Sequence, residues 1–209
     1  MKLAFIGIGN VGFALANNLE KKGHEIVIGH QHPESESVVQ AVSNNPNFKV
    51  EAMQKAVNDS AAVFLATPFS VNKNLLEVLE FKGQVLIDCT NPVGKGISHG
   101  LESKISGAEK VQEWAPEANV VKAYTIYGFE NLMNPNFPQY NLKPVMLIAG
   151  DDKEAKNSVA KLNDDLGFTT LDVGGLEQAL HLEHMTLLWV KMVRRDGHHP
   201  NFAWGLLER

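Results

Sequence analysis

The sequence predicts an α/β fold in which helices cover both faces of a doubly wound, mostly parallel β-sheet. Short apolar runs alternate with helix-like segments over most of the chain, a pattern typical of repeated strand-helix-strand units. The run over residues 61–66 is continuously apolar, as expected of a strand buried on both faces. The first apolar run ends in Gly7, Gly9 and Gly12, a spacing typical of a tight strand-to-helix turn.

Each element follows from its apolar pattern and its bounding turn residues. The predicted strands are residues 3–6, 25–28, 48–52, 61–66, 84–89, 119–124, 144–150 and 168–173. The predicted helices are residues 13–22, a short one within 33–47, then 53–59, 71–80, 101–114 and 152–166. We interpret residues 94–100 and 131–143 as loops, the first as a mobile lid or a solvated linker. Residues 1–175 thus form a predicted sheet domain, and residues 176–209 a predicted helical tail.

Composition excludes several classes of function. The chain has 209 residues and a net charge of -5 without a basic block, which argues against a nucleic-acid or anionic-membrane surface. No apolar run approaches the roughly eighteen residues of a membrane span, and residues 3–11 do not have the pattern of a signal peptide. The single Cys89 cannot form an intrachain disulfide, which fits a reducing compartment. We therefore expect a cytoplasmic protein with no membrane and no nucleic-acid partner.

The glycine-rich turn has the spacing of a dinucleotide-binding site. Gly7 allows a sharp turn, Gly9 removes the Cβ that would block a pyrophosphate, and Gly12 allows close helix-strand packing. The free N–H groups at the start of the next helix favour an anion. The predicted phosphate-binding residues are Gly7, Ile8, Gly9, Asn10, Val11 and Gly12. This order of strand, glycine turn and helix predicts a Rossmann-type nucleotide domain.

The residues after the second strand indicate which dinucleotide binds. An acidic residue there would bond the 2′-hydroxyl of NAD, whereas basic or small polar residues admit the 2′-phosphate of NADP. This chain has His30, Gln31 and His32 and no carboxylate, Arg or Lys between residues 26 and 33. We therefore predict NADP, with NAD possible, and the alternative is that these are solvated turn residues.

Polar or small residues at three further strand ends complete the predicted site. In open α/β sheets the ligand lies beyond the carboxyl ends of the strands. The dinucleotide is therefore expected beside the ends of two strands. The first strand end carries Ala66, Thr67 and Pro68, and the second carries Asn91 and Pro92. The end of the next strand carries Thr125, Ile126 and Tyr127, which we assign to the second substrate.

The tail has an apolar pattern of its own. Leu180, Met185, Leu188, Trp189, Met192 and Val193 recur at helical spacing, and Phe202, Ala203, Trp204, Leu206 and Leu207 follow a loop. Such a face must pack on the sheet domain, on a second subunit or on a flat aromatic ligand. We assign Trp189 and Trp204 to the substrate site and predict a homodimer with the tail at its interface.

Other catalytic chemistries lack support in the sequence. His181 and His184 are three residues apart, but there is no His-Glu-x-x-His order or cysteine cluster, so no metal site is predicted. Ser70 and Cys89 lack the Gly-x-Ser-x-Gly elbow of acyl-transfer enzymes. No residue is assigned a catalytic proton-transfer role.

The chain resembles the NADP-dependent reductases of the deazaflavin coenzyme F-420, a family related to the nucleotide domain of the STEAP metalloreductases. The matching stretches are Ile6-Gly-Ile-Gly-Asn-Val-Gly12, Gly23-His-Glu-Ile-Val-Ile-Gly29, Ala66-Thr-Pro68, Asp88-Cys-Thr-Asn-Pro92, Val120-Val-Lys-Ala123, Ala149-Gly-Asp-Asp152 and Leu187-Leu-Trp189. The chain departs from the family at two places, with His30-Gln31 in place of Ser-Arg and Tyr124-Thr125 in place of Phe-Asn.

The resemblance implies hydride transfer between NADP(H) and a flavin-like ring, either a deazaflavin or FMN or FAD, by alignment of the two rings. It places the acceptor ring near residues 125–127 and the tail. Two alternatives stay open at this point. One is a reductase of a small imine or hydroxy acid, for which Lys191 is the basic candidate in the tail, and the other is a non-catalytic redox sensor that binds NADP(H).

Overall fold

The computed structural model describes residues 1–207 and 209. The strands are β1 (Lys2–Ile6), β2 (Glu25–Gly29), β3 (Lys49–Glu51), β4 (Ala62–Leu65), β5 (Val85–Asp88), β6 (Val93–Gly94), β7 (Ser98–His99), β8 (Asn119–Lys122), β9 (Val145–Gly150) and β10 (Thr169–Asp172). The helices are α1 (Asn10–Glu20), α2 (Glu36–Asn44), α3 (Met53–Asp59), α4 (Asn72–Leu76), α5 (Gly107–Trp114), α6 (Phe129–Met133), α7 (Lys153–Leu166) and α8 (Ala179–Val190). Short 3-10 turns span Phe69–Val71 and Leu176–Gln178, and a π-helical turn spans Lys191–Arg195.

Eight strands form one sheet in the order β10-β9-β8-β5-β4-β1-β2-β3. The six strands from β8 to β3 are parallel, which confirms the predicted doubly wound α/β class. The chain leaves β1 toward β2 and β3, then returns to the other side of β1 at β4. The point where the direction of winding reverses lies between β1 and β4, and ligands of such sheets bind outside the carboxyl ends at this point.

The last two strands differ from the parallel pattern. β9 is antiparallel to β8, with Lys122 opposite Ala149, and β10 is parallel to β9. The amino end of β9 therefore runs past the carboxyl end of β8. This brings Val145 and Met146 beside the segment that follows β8, where the Tyr124 N–H lies 3.3 Å from the Met146 sulfur. Residues 123–127 are consequently enclosed rather than open at a strand end.

Two hydrophobic clusters lie on the two faces of the sheet. One contains Phe5 and Phe64, whose rings stack at 4.4 Å, and extends to Leu182 of α8. The other contains Val63 and extends to Leu176 and Ala179 of the tail. The tail therefore packs on the sheet, one of the three alternatives that its apolar pattern left open. Leu188 is an exception to the predicted buried face, since it is 49% exposed.

Several predicted element bounds are wrong. The helix predicted over residues 101–114 begins at Gly107, because Ser106 forms a capping box with Glu109 and so sets the first turn. The helix predicted over residues 71–80 ends at Leu76. Apolar periodicity does not locate such ends, which depend on caps and turns.

The two predicted loops also contain regular structure. Residues 94–100 contribute to the two-stranded hairpin of β6 and β7, in which Val93 pairs with His99. Residues 131–133 belong to α6. Among the described residues, no helix combines the length and the apolar character that a bilayer crossing requires.

Candidate dinucleotide site

The glycine turn is built by close backbone contacts at the end of β1. Gly7 has a φ of +93°, and a Cβ on it would lie 2.6 Å from the Ala66 carbonyl carbon. A Cβ on Gly12 would overlap the Gly7 carbonyl oxygen. Gly7 and Gly12 therefore serve packing and conformation, because any side chain would push α1 or β4 out of place.

Gly9 has a different environment. Its φ is -69°, an ordinary value, and a Cβ placed on it would meet no atom within 4 Å. Neither conformation nor packing therefore requires glycine here, and the space is free for a ligand. Gly9 is also the N-cap of α1 and supplies no side-chain hydrogen bond to it, so the first N–H groups of the helix are available to an anion. This arrangement fits a pyrophosphate.

The predicted selectivity residues lie at the end of β2. His30 is half-buried, whereas Gln31 and His32 are exposed. The His32 N–H donates to His30 Nδ1 at 2.8 Å, which leaves His30 Nε2 as a donor in the neutral ring. Glu34, just past the predicted segment, lies 3.6 Å from His32 Nδ1. The end of β2 therefore carries one oriented histidine donor, and Glu34 adds one nearby negative charge, while the predicted contact of His30 with a ribose phosphate stays a prediction.

A chain of hydrogen bonds connects the ends of β4 and β5. Thr67 Oγ1 donates to Asn72 Oδ1 at 2.6 Å, and the Asn72 amide donates to Thr90 Oγ1 at 3.1 Å. Thr90 Oγ1 in turn donates to Asp88 Oδ1 at 2.7 Å. Ala66 and Thr67 are half-buried and Pro68 is exposed. The two predicted strand ends are therefore held as one unit beside the glycine turn.

Asn91 connects this edge of the sheet to the tail. Its side-chain oxygen lies 3.0 Å from Thr186 Oγ1 in α8, and the same hydroxyl lies 2.8 Å from the carbonyl oxygen of Thr125. The Leu182 carbonyl oxygen lies 3.1 Å from the same hydroxyl. Because one hydroxyl donates only one hydrogen bond, Thr186 donates to one of these three acceptor oxygens at a time. Asn91 is half-buried and Pro92 is buried. Of the two residues predicted at this strand end, Asn91 is therefore the more exposed one, and it carries the polar side chain.

A buried ion cluster below this edge was missed by the sequence analysis. Lys122, at the end of β8, donates to Asp88 Oδ2 at 2.9 Å, to the Thr90 carbonyl oxygen at 2.5 Å and to Glu183 Oε1 at 2.8 Å. The side chains of Lys122, Asp88 and Glu183 are at most 1% exposed. A lysine within an apolar strand and a glutamate within an apolar helix are the signals that could have revealed them.

Glu183 has further partners from the hairpin and from α5. His99 Nε2 lies 2.8 Å from its Oε2, and the Gly107 and Ala108 N–H groups donate to its carboxylate at 3.0 and 3.3 Å. His99 Nδ1 accepts two backbone N–H bonds, so the neutral ring donates through Nε2. The predicted lid segment is therefore attached to the tail helix.

The cluster keeps its charges despite burial. Burial alone would lower the pKa of Lys122, but the Asp88 and Glu183 carboxylates raise it above its ordinary value. Burial would likewise raise the pKa of Glu183, yet the Lys122 ammonium and the bonds from Gly107 and His99 hold that pKa below its ordinary value. The structure therefore contains a charged cluster between the strand ends and α8.

The predicted acceptor residues are mostly buried. Thr125, Ile126, Tyr127 and Trp189 are each at most 5% exposed. The Tyr127 hydroxyl donates to the Val145 carbonyl oxygen at 2.6 Å, because β9 runs past the end of β8. Trp204 is half-buried, and its carbonyl oxygen accepts from the Val145 N–H at 2.9 Å. These residues form one packed corner, and their role toward an acceptor stays a prediction.

An open cavity adjoins this corner. It has a volume of about 290 Å³ and lies between the loop before β9 and the tail. Its lining includes the aromatic residues Phe137, Tyr140, Phe202 and Trp204, together with Lys143. Of the predicted acceptor residues, Trp204 contributes to this cavity.

Residues 2–92 match the family of NADP oxidoreductases that depend on coenzyme F420. Metalloreductase STEAP3 of Rattus norvegicus is 28% identical over 188 residues, which are 89% of this chain and 36% of the relative. A glycerol-3-phosphate dehydrogenase [NAD(P)+] of Lactococcus lactis is 25% identical and matches all of this chain and 63% of its own length. The chain therefore spans about a third of the length of the metalloreductase and less than two thirds of the length of the dehydrogenase.

A crystal structure from Arthrobacter sp. FB24, named as a candidate F420-dependent NADP reductase, superposes over the full length of both chains. The TM-score is 0.81 and the sequences are 26% identical. These matches confirm the predicted resemblance and the predicted fold class. The matched family, the Lactococcus lactis relative and the Arthrobacter structure are each named for NADP or NAD(P).

Proposed function

We propose that this chain, whose residues 2–92 match the F420-dependent NADP oxidoreductases, transfers hydride between NADP(H) and a flavin-like ring, either a deazaflavin or FMN or FAD. The observation that carries the proposal is the open space at Gly9 beside the uncapped start of α1. It lies where the winding of the sheet reverses, which is where such sheets bind dinucleotides. The acceptor class is inferred from the family and from the aromatic cavity at Trp204.

The residues of this chain bind and orient in the proposed reaction. The N–H groups at the start of α1 hold the pyrophosphate, and His30 donates to the phosphorylated ribose. Thr67 and Asn91 flank the nicotinamide end of the site. When bound, NADPH supplies a hydride to the acceptor ring, and the protein contributes close alignment of the two rings. No side chain is assigned a proton-transfer role.

The acceptor assay tests this proposal directly. NADPH absorbance is followed in parallel with a deazaflavin, FMN, FAD, a cyclic imine and a keto acid. We expect turnover with one of the flavin-like rings and hardly any with the imine or keto acid, because the cavity at Trp204 is lined by aromatic side chains. Turnover only with the imine or keto acid would discard the proposed acceptor. Nucleotide binding without any turnover would favour a redox sensor.

We expect NADPH to bind more tightly than NADH by a modest margin. His30 can donate to the 2′-phosphate, and no carboxylate follows β2 before Glu34. Calorimetric titration of both nucleotides measures the difference between the two affinities. His30→Ala should narrow this difference, whereas tighter binding of NADH than of NADPH by the wild type would contradict the prediction.

We further propose that the chain forms a homodimer through its tail. Leu188 is 49% and Leu207 is 86% exposed, although both lie in the apolar tail. Exposed apolar side chains of this kind favour a second subunit. Light scattering at micromolar concentration is expected to give a molecular mass of two chains. The Leu188→Glu variant should give the mass of one chain. A monomeric wild-type protein would refute this proposal.

A further inference from the structure

The segment from Thr90 to Pro92 is held from below by the buried ion cluster. The Thr90 N–H and Oγ1 both donate to Asp88 Oδ1, at 2.9 and 2.7 Å. Lys122 Nζ donates to the Thr90 carbonyl oxygen at 2.5 Å. Three contacts therefore determine the backbone conformation immediately before Asn91, which flanks the proposed nicotinamide position.

Glu183 completes the coordination of the lysine. An ammonium group has three hydrogens to donate, and Asp88, Thr90 and Glu183 accept them. Removing the Glu183 charge would leave the lysine free to shift toward Asp88. Such a shift would change the bond to the Thr90 carbonyl oxygen, so the position of Thr90 depends on a residue of the tail helix.

Helix α8 also contacts the segment from Thr90 to Pro92 at a second point. Thr186 lies three residues after Glu183, on one face of α8, and its hydroxyl contacts both Asn91 and the Thr125 carbonyl oxygen. α8 therefore contacts Asn91 directly through Thr186 and Thr90 indirectly through Glu183 and Lys122. One helix therefore contributes to the positions of both Thr90 and Asn91.

Stability alone gives little reason for this arrangement. A buried ion cluster is often no more stable than apolar residues of similar volume, whereas its directional bonds specify geometry. We propose that Glu183 is a positioning residue: through Lys122, it sets the Thr90–Asn91 backbone so that the nicotinamide is held for hydride transfer. This inference rests on the proposed function for the place of the nicotinamide.

The variant Glu183→Gln tests the proposal, because it preserves size and removes the charge. The measured quantity is the ratio between the affinities for NADPH and for 2′,5′-ADP, which lacks the nicotinamide half. We expect the variant to lower this ratio about tenfold, the effect of weakening one charged hydrogen bond, with the 2′,5′-ADP affinity unchanged. With an active acceptor, kcat should fall more than KM for NADPH rises.

Val159→Ala is the matched control, since Val159 is buried in the α7 core and its loss destabilises without touching the cluster. It should leave the affinity ratio unchanged. If Glu183→Gln does not fold, Thr186→Val, which keeps the ion cluster, should lower the ratio in its place.

An unchanged ratio in the folded Glu183→Gln variant overturns the positioning role. So does an equal loss of affinity for both ligands, which would mark a merely structural residue. The binding ratio is measured without an acceptor, so a failure of the proposed acceptor reaction is separately visible as absent wild-type turnover.

Discussion

Replacing Gly9 by valine is expected to lower NADPH affinity by about a hundredfold or more, the loss of two or more charged hydrogen bonds. The thermal midpoint should change little, because a Cβ at this position meets no protein atom within 4 Å and the φ of -69° suits any residue. The valine side chain would instead occupy the space proposed for the pyrophosphate. Fluorescence titration with NADPH and a thermal melt measure the two quantities.

Gly12→Ala is the contrasting variant. Its Cβ would overlap the Gly7 carbonyl oxygen, so it should lower both the thermal midpoint and the affinity. If Gly9→Val binds NADPH as tightly as the wild type, the phosphate does not lie at the start of α1. The proposed nucleotide site would then be wrong even though the fold is confirmed.

The second large effect is expected from Lys122→Met. It leaves the Asp88 and Glu183 carboxylates buried without their cation, and breaking a buried pair in this way costs about 3–5 kcal/mol. For a chain of this length we expect the thermal midpoint to fall by about 10 °C or more. Urea unfolding followed by circular dichroism measures the free energy of unfolding.

Lys156→Met is the control for that loss. It breaks the pair between Lys156 and the half-exposed Asp172 side chain, and pairs near the surface contribute about 0–1 kcal/mol. A Lys122→Met variant no less stable than this control would show that the cluster contributes no more than a surface pair.

The effect of Lys122→Met should also depend on pH. In the wild type the pKa of Glu183 is lowered, so its stabilising contribution is present above the unfolded pKa of about 4.3 and is lost as pH falls further. Without Lys122, burial favours the neutral acid, and protonation relieves the unpaired charge. The difference between wild type and variant should therefore be widest near neutral pH and narrow on acidification.

Local pattern in the sequence was sufficient for the parallel part of the fold. A continuous apolar run identified β4, because a strand buried on both faces needs apolar residues at nearly every position. The spacing of Gly7, Gly9 and Gly12 located the tight turn between β1 and α1, because the backbone requirements of such a turn are satisfied within a few residues. The sequence by itself therefore determined the α/β class and the position of this glycine turn, while the binding of a nucleotide there stays a prediction.

Only the tertiary structure decided what surrounds the residues that follow β8 and those that form the buried ion cluster. The antiparallel direction of β9 encloses Tyr127, which the sequence placed at an open strand end. The bond between Lys122 and Glu183 joins residues 61 positions apart, and no local pattern specifies such a partner. Strand direction and buried charge pairing depend on which distant elements meet, and that is set by packing of the whole chain.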